Sequence, residues 1–165
     1  MPKGRAAYGH ERKPKVEIDG IKFASPGEAE RYLELMIRQL KGENIEVFLQ
    51  PKFEIQPAFK KCHGVLFKFE EDYQKLFRKA RCPVCGGKMI LLREITYSAD
   101  FKIVHGDGRI EIEDVKGWGG YTTPEFKLKR KLFEFKYPDL SLILLKRLGR
   151  VKRIQELKDE RDSLK

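Results

Sequence analysis

The feature that most constrains this chain is the stretch from Ile95 to Lys116, which largely alternates apolar and polar residues on both sides of His105-Gly-Asp-Gly108. A period of two is the signature of strands, and a glycine-rich turn between two such runs sends the second back antiparallel to the first. Met89 to Val104 reads as one long strand or two broken ones, and Arg109 to Lys116 as the returning strand. Around this hairpin the punctuation is clear. Val16 to Phe23 alternates across Asp19-Gly20, another hairpin signal. Ser25-Pro26-Gly27-Glu28 opens a helix, with Ser25 as cap, Pro26 at the first position and Glu28 completing a capping box. Ala29, Tyr32, Leu33, Met36, Ile37 and Leu40 form its apolar stripe, and Gly42 ends it. Residues 45–55 read as a strand with an edge or bulge at Pro51. After a flexible loop over Gly117 to Gly120, a helix runs from Thr123-Pro124 to before Pro138, and Leu140 to Leu145 reads as a buried strand. A charged helix over 149–165, loosely attached, completes the chain.

Residues 59–92 interrupt this pattern as an insertion, with a short helix carrying Phe69, Tyr73, Leu76, Phe77 and Ala80. Without it and the ends, the order is helix, three strands, helix, strand. That order predicts an α/β fold with a mixed sheet flanked by helices. At 165 residues the chain fits a single domain, 1–165. Its longest apolar run, Leu140 to Leu145, is itself interrupted by Ser141 and falls far short of the roughly 20 residues of a membrane span. No apolar segment follows the basic N-terminus, and three cysteines are too few and too odd in number for a disulfide framework. The expectation is a cytoplasmic, reduced protein with no membrane partner.

The distribution of charge points to a partner. Residues 1–15, 127–136 and 146–165 each carry a net +4, together slightly more than the whole-chain charge of +10, so the remainder is close to neutral. Within that remainder Asp100 to Asp114 holds five acids against two bases. Basic blocks neutralise phosphates, and a carboxylate cluster among them can hold a divalent cation. A nucleic acid is the expected partner.

The chemistry lies in Asp100 and in Asp114-Val-Lys116. Alternation along a strand projects Asp114 and Lys116 side by side. Two carboxylates suit Mg²⁺, and an adjacent ammonium can orient a water or offset phosphate charge. The register of the hairpin decides what Asp100 faces. A two- or four-residue loop sets Asp100 opposite Glu113, with Phe101 against Ile112. A three-residue Gly106-Asp-Gly108 loop with left-handed Gly108 aligns Asp100 with Asp114 but pairs Phe101 with Glu113, and a bulge would reconcile the two. Glu113 stays a candidate third carboxylate.

This pattern resembles the PD-(D/E)xK nuclease superfamily. More narrowly, the ordered string resembles a small phage- and prophage-encoded family grouped with Holliday-junction-resolvase-like endonucleases. It runs through Ile18 to Ser25, Glu28, Tyr32, Leu49 to Phe53, Tyr97 to Phe101, Glu113 to Gly117, Lys131 to Phe133 and Tyr137-Pro138. The resemblance implies a restriction-endonuclease-like αβββαβ core and Mg²⁺- or Mn²⁺-dependent DNA cleavage. It implies that Asp100 and Asp114 bind the metal, that Lys116 serves the attacking water, and that Glu28 reaches the metal directly or through water. Gln50 is implied to support the metal's ligands or to contact a phosphate. Branched DNA as substrate and a homodimer are further implications. Helical periodicity alone leaves Glu28 and Glu30 equivalent.

Two further groups of residues stand out. Cys82-Pro-Val-Cys85-Gly-Gly87 resembles a zinc knuckle, with Cys62 as a third thiolate and His63 as a fourth ligand. His10 and His105 are alternatives, because Cys62 and His63 are adjacent. Lys127, Lys129, Arg130 and Lys131 lie on the helix after the Asp114-x-Lys116 strand and are candidate nucleic-acid contacts, and Trp118 and Tyr121 could stack on a base. The competing functional expectation is a non-catalytic, zinc-stabilised nucleic-acid-binding module.

Overall fold

The computed structural model describes residues 16–69, 74–117, 122–147 and 149–165. They group into two compact units. One comprises the chain as far as Ile45, the segment from Val115 and the chain from Leu144. The other comprises Glu46 to Asp114 and Thr122 to Ile143. No described helix is long and apolar enough to cross a membrane.

The first unit opens with strands β1 (Val16–Ile18) and β2 (Ile21–Phe23), joined as expected by a two-residue turn in which Asp19 and Gly20 both have positive φ. Helix α1 (Pro26–Leu40) follows. Its start is a capping arrangement: the Glu28 N–H donates to Ser25 Oγ (3.2 Å), and the Glu28 carboxylate accepts from the Ser25 hydroxyl (2.9 Å) and the Ala24 N–H (3.1 Å). The buried face differs from the expected stripe at one end. Leu40 is exposed, and Leu35 is fully buried instead. Helix α4 (Val151–Ser163) packs on α1. Ile154, Leu157 and Arg161, spaced three and four apart, are buried, so the terminal helix is docked where loose attachment was expected. The Arg161 guanidinium donates to Asp19 Oδ2 (2.5 Å), which also accepts from Tyr32 Oη (3.3 Å).

Strands β3 (Ile45–Leu49), β9 (Phe101–His105), β10 (Ile110–Lys116) and β11 (Ser141–Lys146) form a sheet of order β11-β10-β9-β3, of which Ile45, β10 from Val115 and β11 from Leu144 belong to the first unit and the rest to the second. β9 and β10 are antiparallel. β10 and β11 are linked through helix α3 (Pro124–Lys136), and the Arg147 N–H donates to Lys116 O (2.9 Å). Their C-terminal ends therefore run side by side, a parallel pair, and the sheet is mixed. The single strand expected over 45–55 is two. Gln50 adopts a positive φ of 48° before Pro51, which breaks the ladder, and β4 (Lys52–Gln56) leaves to pair with β8 (Ile95–Ser98) in a separate ribbon. α3 packs on β4 and β8. Phe133 is its buried centre, in edge or tilted contact with Phe53, Tyr97 and Tyr137 at 5.0–5.2 Å.

The insertion carries more order than its sequence indicates. Strands β5 (Phe59–Cys62), β6 (Val65–Lys68) and β7 (Ile90–Leu92) form a sheet of order β6-β5-β7, beside helix α2 (Gln74–Lys79). Met89 to Val104 is thus three strands and not one or two. On α2, Phe77 is buried against Phe67 and Phe69 while Leu76 is exposed, so the expected stripe holds only in part. Tyr73 lies outside the described residues.

Candidate functional site

The turn between β9 and β10 settles the register. The His105 N–H donates to Arg109 O, the Gly108 N–H donates to His105 O, and Gly108 has φ +87°. This is the three-residue loop, and it pairs Ile103 with Glu111 and Phe101 with Glu113. At the far end the Asp100 N–H also reaches Glu113 O (3.0 Å), so Asp100 and Phe101 together oppose one residue of β10. That is the arrangement of a β-bulge, which kinks a strand and re-aims the side chain at the kink. Asp100 is half-buried just before β9, and Asp114 is buried on β10.

A third residue joins these two. Tyr97, buried on β8, donates its phenolic proton to Asp114 Oδ2 at 2.7 Å. Burial pushes the Tyr97 phenol well above its ordinary value, and the Asp114 and Asp100 carboxylates push it further, against the opposing charge of Arg130. Tyr97 is therefore a fixed donor that orients the Asp114 carboxylate, while the charge of Asp100 acts on the same phenol. Sequence reasoning placed Tyr97 in a motif but gave it no role. Its distance of three residues from Asp100 was the available signal.

Backbone strain marks the same place. The Gln50 N–H donates to Asp100 O (2.9 Å) and the Ala99 N–H to Pro51 O (3.1 Å). A non-glycine residue in the left-handed region costs of order 1–3 kcal/mol and clusters at functional sites. Gln50 thus anchors the Asp100 backbone, and its side chain is exposed. Glu113 faces the other way. It shares the face of Phe101 and Ile103 and is buried there, away from the alternating set Ile112, Asp114 and Lys116. Lys116 ends β10, two residues beyond Asp114. Glu28 belongs to the first unit, where both carboxylate oxygens serve the start of α1. Glu30 is bound to Arg147 (3.2 Å), which also pairs with Glu34, and that distinguishes two residues periodicity left equivalent.

On α3 the four candidate cations divide. Lys129 pairs with Glu125 (2.8 Å) and Arg130 with Glu134 (2.7 Å), whereas Lys127 and Lys131 are exposed without an ion pair among the described residues. Trp118, Tyr121, His10 and the basic residues 1–15 lie outside the described residues.

Over residues 8–153 the chain matches the family described as protein of unknown function, DUF1064. The chain belongs to this family. No curated protein and no solved structure matches it.

The second site of this DUF1064 member is in the insertion. Cys62, His63, Cys82 and Cys85 bring their ligand atoms within 4.8 Å of one another. Cys62 Sγ lies 3.0 Å from His63 Nδ1 and 3.9 Å from Cys85 Sγ, and Cys82 Sγ lies 3.7 Å from His63 Nδ1. A tetrahedron with Zn–S of about 2.3 Å separates its sulfurs by about 3.7 Å, so the donor set and its spacing fit a zinc-like ion. Adjacent ligands are accommodated because His63-Gly64 is the two-residue turn between β5 and β6, with positive φ at both residues. The knuckle is closed by Gly86 N–H to Cys82 O (2.7 Å) and Cys82 N–H to Gly87 O (3.0 Å). Backbone N–H groups, that of Cys85 first, hold the Cys82 thiol down to about 6, while burial and the neighbouring thiols push Cys62 up to about 11. His105 is elsewhere, beside Glu111 (3.3 Å). Four protein ligands leave no open position, which is the character of a structural site.

Proposed function

We propose that this protein is a metal-dependent DNA endonuclease of the PD-(D/E)xK type, working in the cytoplasm of its host. The observation that carries the reading is the Tyr97 phenol, which donates to Asp114 and is acted on by the charge of Asp100, with Lys116 two residues after Asp114 on β10. Plain binding of a polyanion gives no reason to gather one buried and one half-buried carboxylate about a buried phenol.

Asp100 and Asp114 offer the hard oxygen donors that Mg²⁺ or Mn²⁺ prefers. When bound, the ion supplies positive charge to a phosphate oxygen and makes water more acidic. Tyr97 holds the plane of the Asp114 carboxylate, and the bulge and Gln50 fix the backbone of Asp100. Lys116 orients the attacking water and offsets charge that develops on the phosphate. Glu28, by the resemblance, assists at the metal, and Gln50 contacts a phosphate or the metal's surroundings. Lys127 and Lys131 contact the DNA backbone directly, and Lys129 and Arg130 can exchange weak surface pairs for phosphates. The resemblance adds branched DNA as the preferred substrate, 5′-phosphate products and a homodimer as the working form. Zinc holds the insertion and takes no part in cleavage.

The test is cleavage of supercoiled, linear, single-stranded and four-way-junction DNA with Mg²⁺ or Mn²⁺. Asp114→Ala and Lys116→Ala should each lose at least about a hundredfold in rate, equivalent to about 2.7 kcal/mol of transition-state stabilisation. Tight DNA binding with no cutting on any substrate would replace this reading with the non-catalytic, zinc-stabilised module.

A further inference from the structure

In the first unit, the end of β11 and the start of α4 enclose a groove of about 650 Å³ lined by Lys146, Arg147, Arg150, Lys152, Arg153 and Glu30, among others. That volume is in the range of ligand clefts, about 300–1,000 Å³, but such clefts are mostly apolar and this one is walled by cations. The charges are unevenly satisfied. Arg147 is spent on Glu30 and Glu34, and Arg153 lies 3.4 Å from Glu156. Lys146, Arg150 and Lys152 have no ion pair among the described residues, and all three are exposed.

Elsewhere the helices neutralise only part of their charge locally: α3 pairs Lys129 with Glu125 and Arg130 with Glu134 but leaves Lys127 and Lys131 without an ion pair among the described residues, and at the end of α4 Asp162 takes Arg161 and Lys165. The first turn of α4 has no acidic residue. Glu30 and Glu156 also line the groove but are engaged by Arg147 and Arg153, so the surplus is positive, and a concave surface with a surplus of one sign concentrates the field and draws in a counter-ion.

We propose that this groove is a phosphodiester-binding cleft that holds a stretch of DNA backbone, a contact additional to α3. It deepens the nuclease reading and rests on it for the choice of DNA among polyanions. Lys146, Arg150 and Lys152 each neutralise a phosphate, and Arg147, locked on α1, shapes the wall between them.

The experiment measures binding of a labelled DNA duplex against salt concentration, without added Mg²⁺ or Mn²⁺ and without chelator. The proteins are wild type, the triple variant Lys146→Gln/Arg150→Gln/Lys152→Gln, and a charge-matched control, Lys22→Gln/Lys68→Gln/Lys165→Gln. Each neutralised phosphate contributes about 0.9 to the slope of log affinity against log salt, so the groove variant should be shallower by about 2–3 and the control nearly unchanged. Equal slopes for all three proteins, equal losses in both variants, or competition by polyglutamate as effective per charge as DNA would overturn the proposal. Cleavage assays on the same proteins separate the two readings. No cutting with a shallower slope removes the nuclease and keeps the cleft, and metal-dependent cutting with an unchanged slope does the reverse.

Discussion

At the scale of single residues, two side-chain positions bear tests of different kinds. Tyr97→Phe removes the donor to Asp114 without changing shape. A buried hydrogen bond to a charged group contributes about 1.5–3 kcal/mol, so urea denaturation should show a loss of that size. Cleavage should fall as well, because the Asp114 carboxylate loses its fixed plane. Gly149 is the second position. It has φ +62°, and a Cβ there would overlap the backbone of Pro26 and Gly27. The left-handed region alone costs an alanine about 1–2 kcal/mol, and the overlap adds to it. Gly149→Ala should therefore lose more than about 2 kcal/mol. Gly108→Ala, with φ +87° and open space around it, should lose only the conformational part. Equal melting temperatures for the two variants would show that the chain shifts to relieve the overlap. The motif spacing made Asp100, Asp114 and Lys116 legible in the sequence, whereas the bulge at Asp100 was only one of the registers left open, since alternation alone favoured packing Phe101 against Ile112. The carboxylate of Glu113 was placed on that face at a cost no local pattern announces.

Among elements, helices declared themselves through their caps. Ser25-Pro26 and Thr123-Pro124 start α1 and α3, and both side chains accept a capping hydrogen bond, expected for Ser25 and found also for Thr123. Strands were harder, because which sheet a strand joins is a long-range matter. Nothing local in residues 45–56 says that the chain changes partners at Gln50, and the strands of the insertion are too short to show a period. The knuckle was legible because ligand spacing is chemistry and not packing. Its test is metal content. The protein should carry about one zinc per chain, and Cys85→Ser should weaken it strongly. Thiolates must be deprotonated to bind, so occupancy should fall with falling pH. Below about pH 6 Cys82 also holds its proton, which adds a second competitor to the one on Cys62, protonated up to about 11. Uptake at pH 8 should therefore release at least the Cys62 proton, measurable in a weakly buffered indicator solution.

For the molecule as a whole, the basic surplus of +10 predicts steep salt dependence of any nucleic-acid binding. The insertion matters at this scale because of where it is rooted. Gln56 at the end of β4 pairs with Ile95 at the start of β8, so the chain enters and leaves the insertion at one rung of one ladder. Replacing residues 57–94 by a two-residue turn should leave a folded protein that no longer needs zinc, observable as a cooperative melt insensitive to chelator. A broad, non-cooperative melt would show that the insertion supports the rest.

That single rung also bears on ancestry. A segment attached at one hairpin root can be gained, lost or exchanged in one genetic event without disturbing the register of Asp100 and Asp114. Relatives of this chain should then differ most in what they carry between these two strands, some metal-free and some with other appendages. The ladder that holds the carboxylates would descend unchanged beneath them.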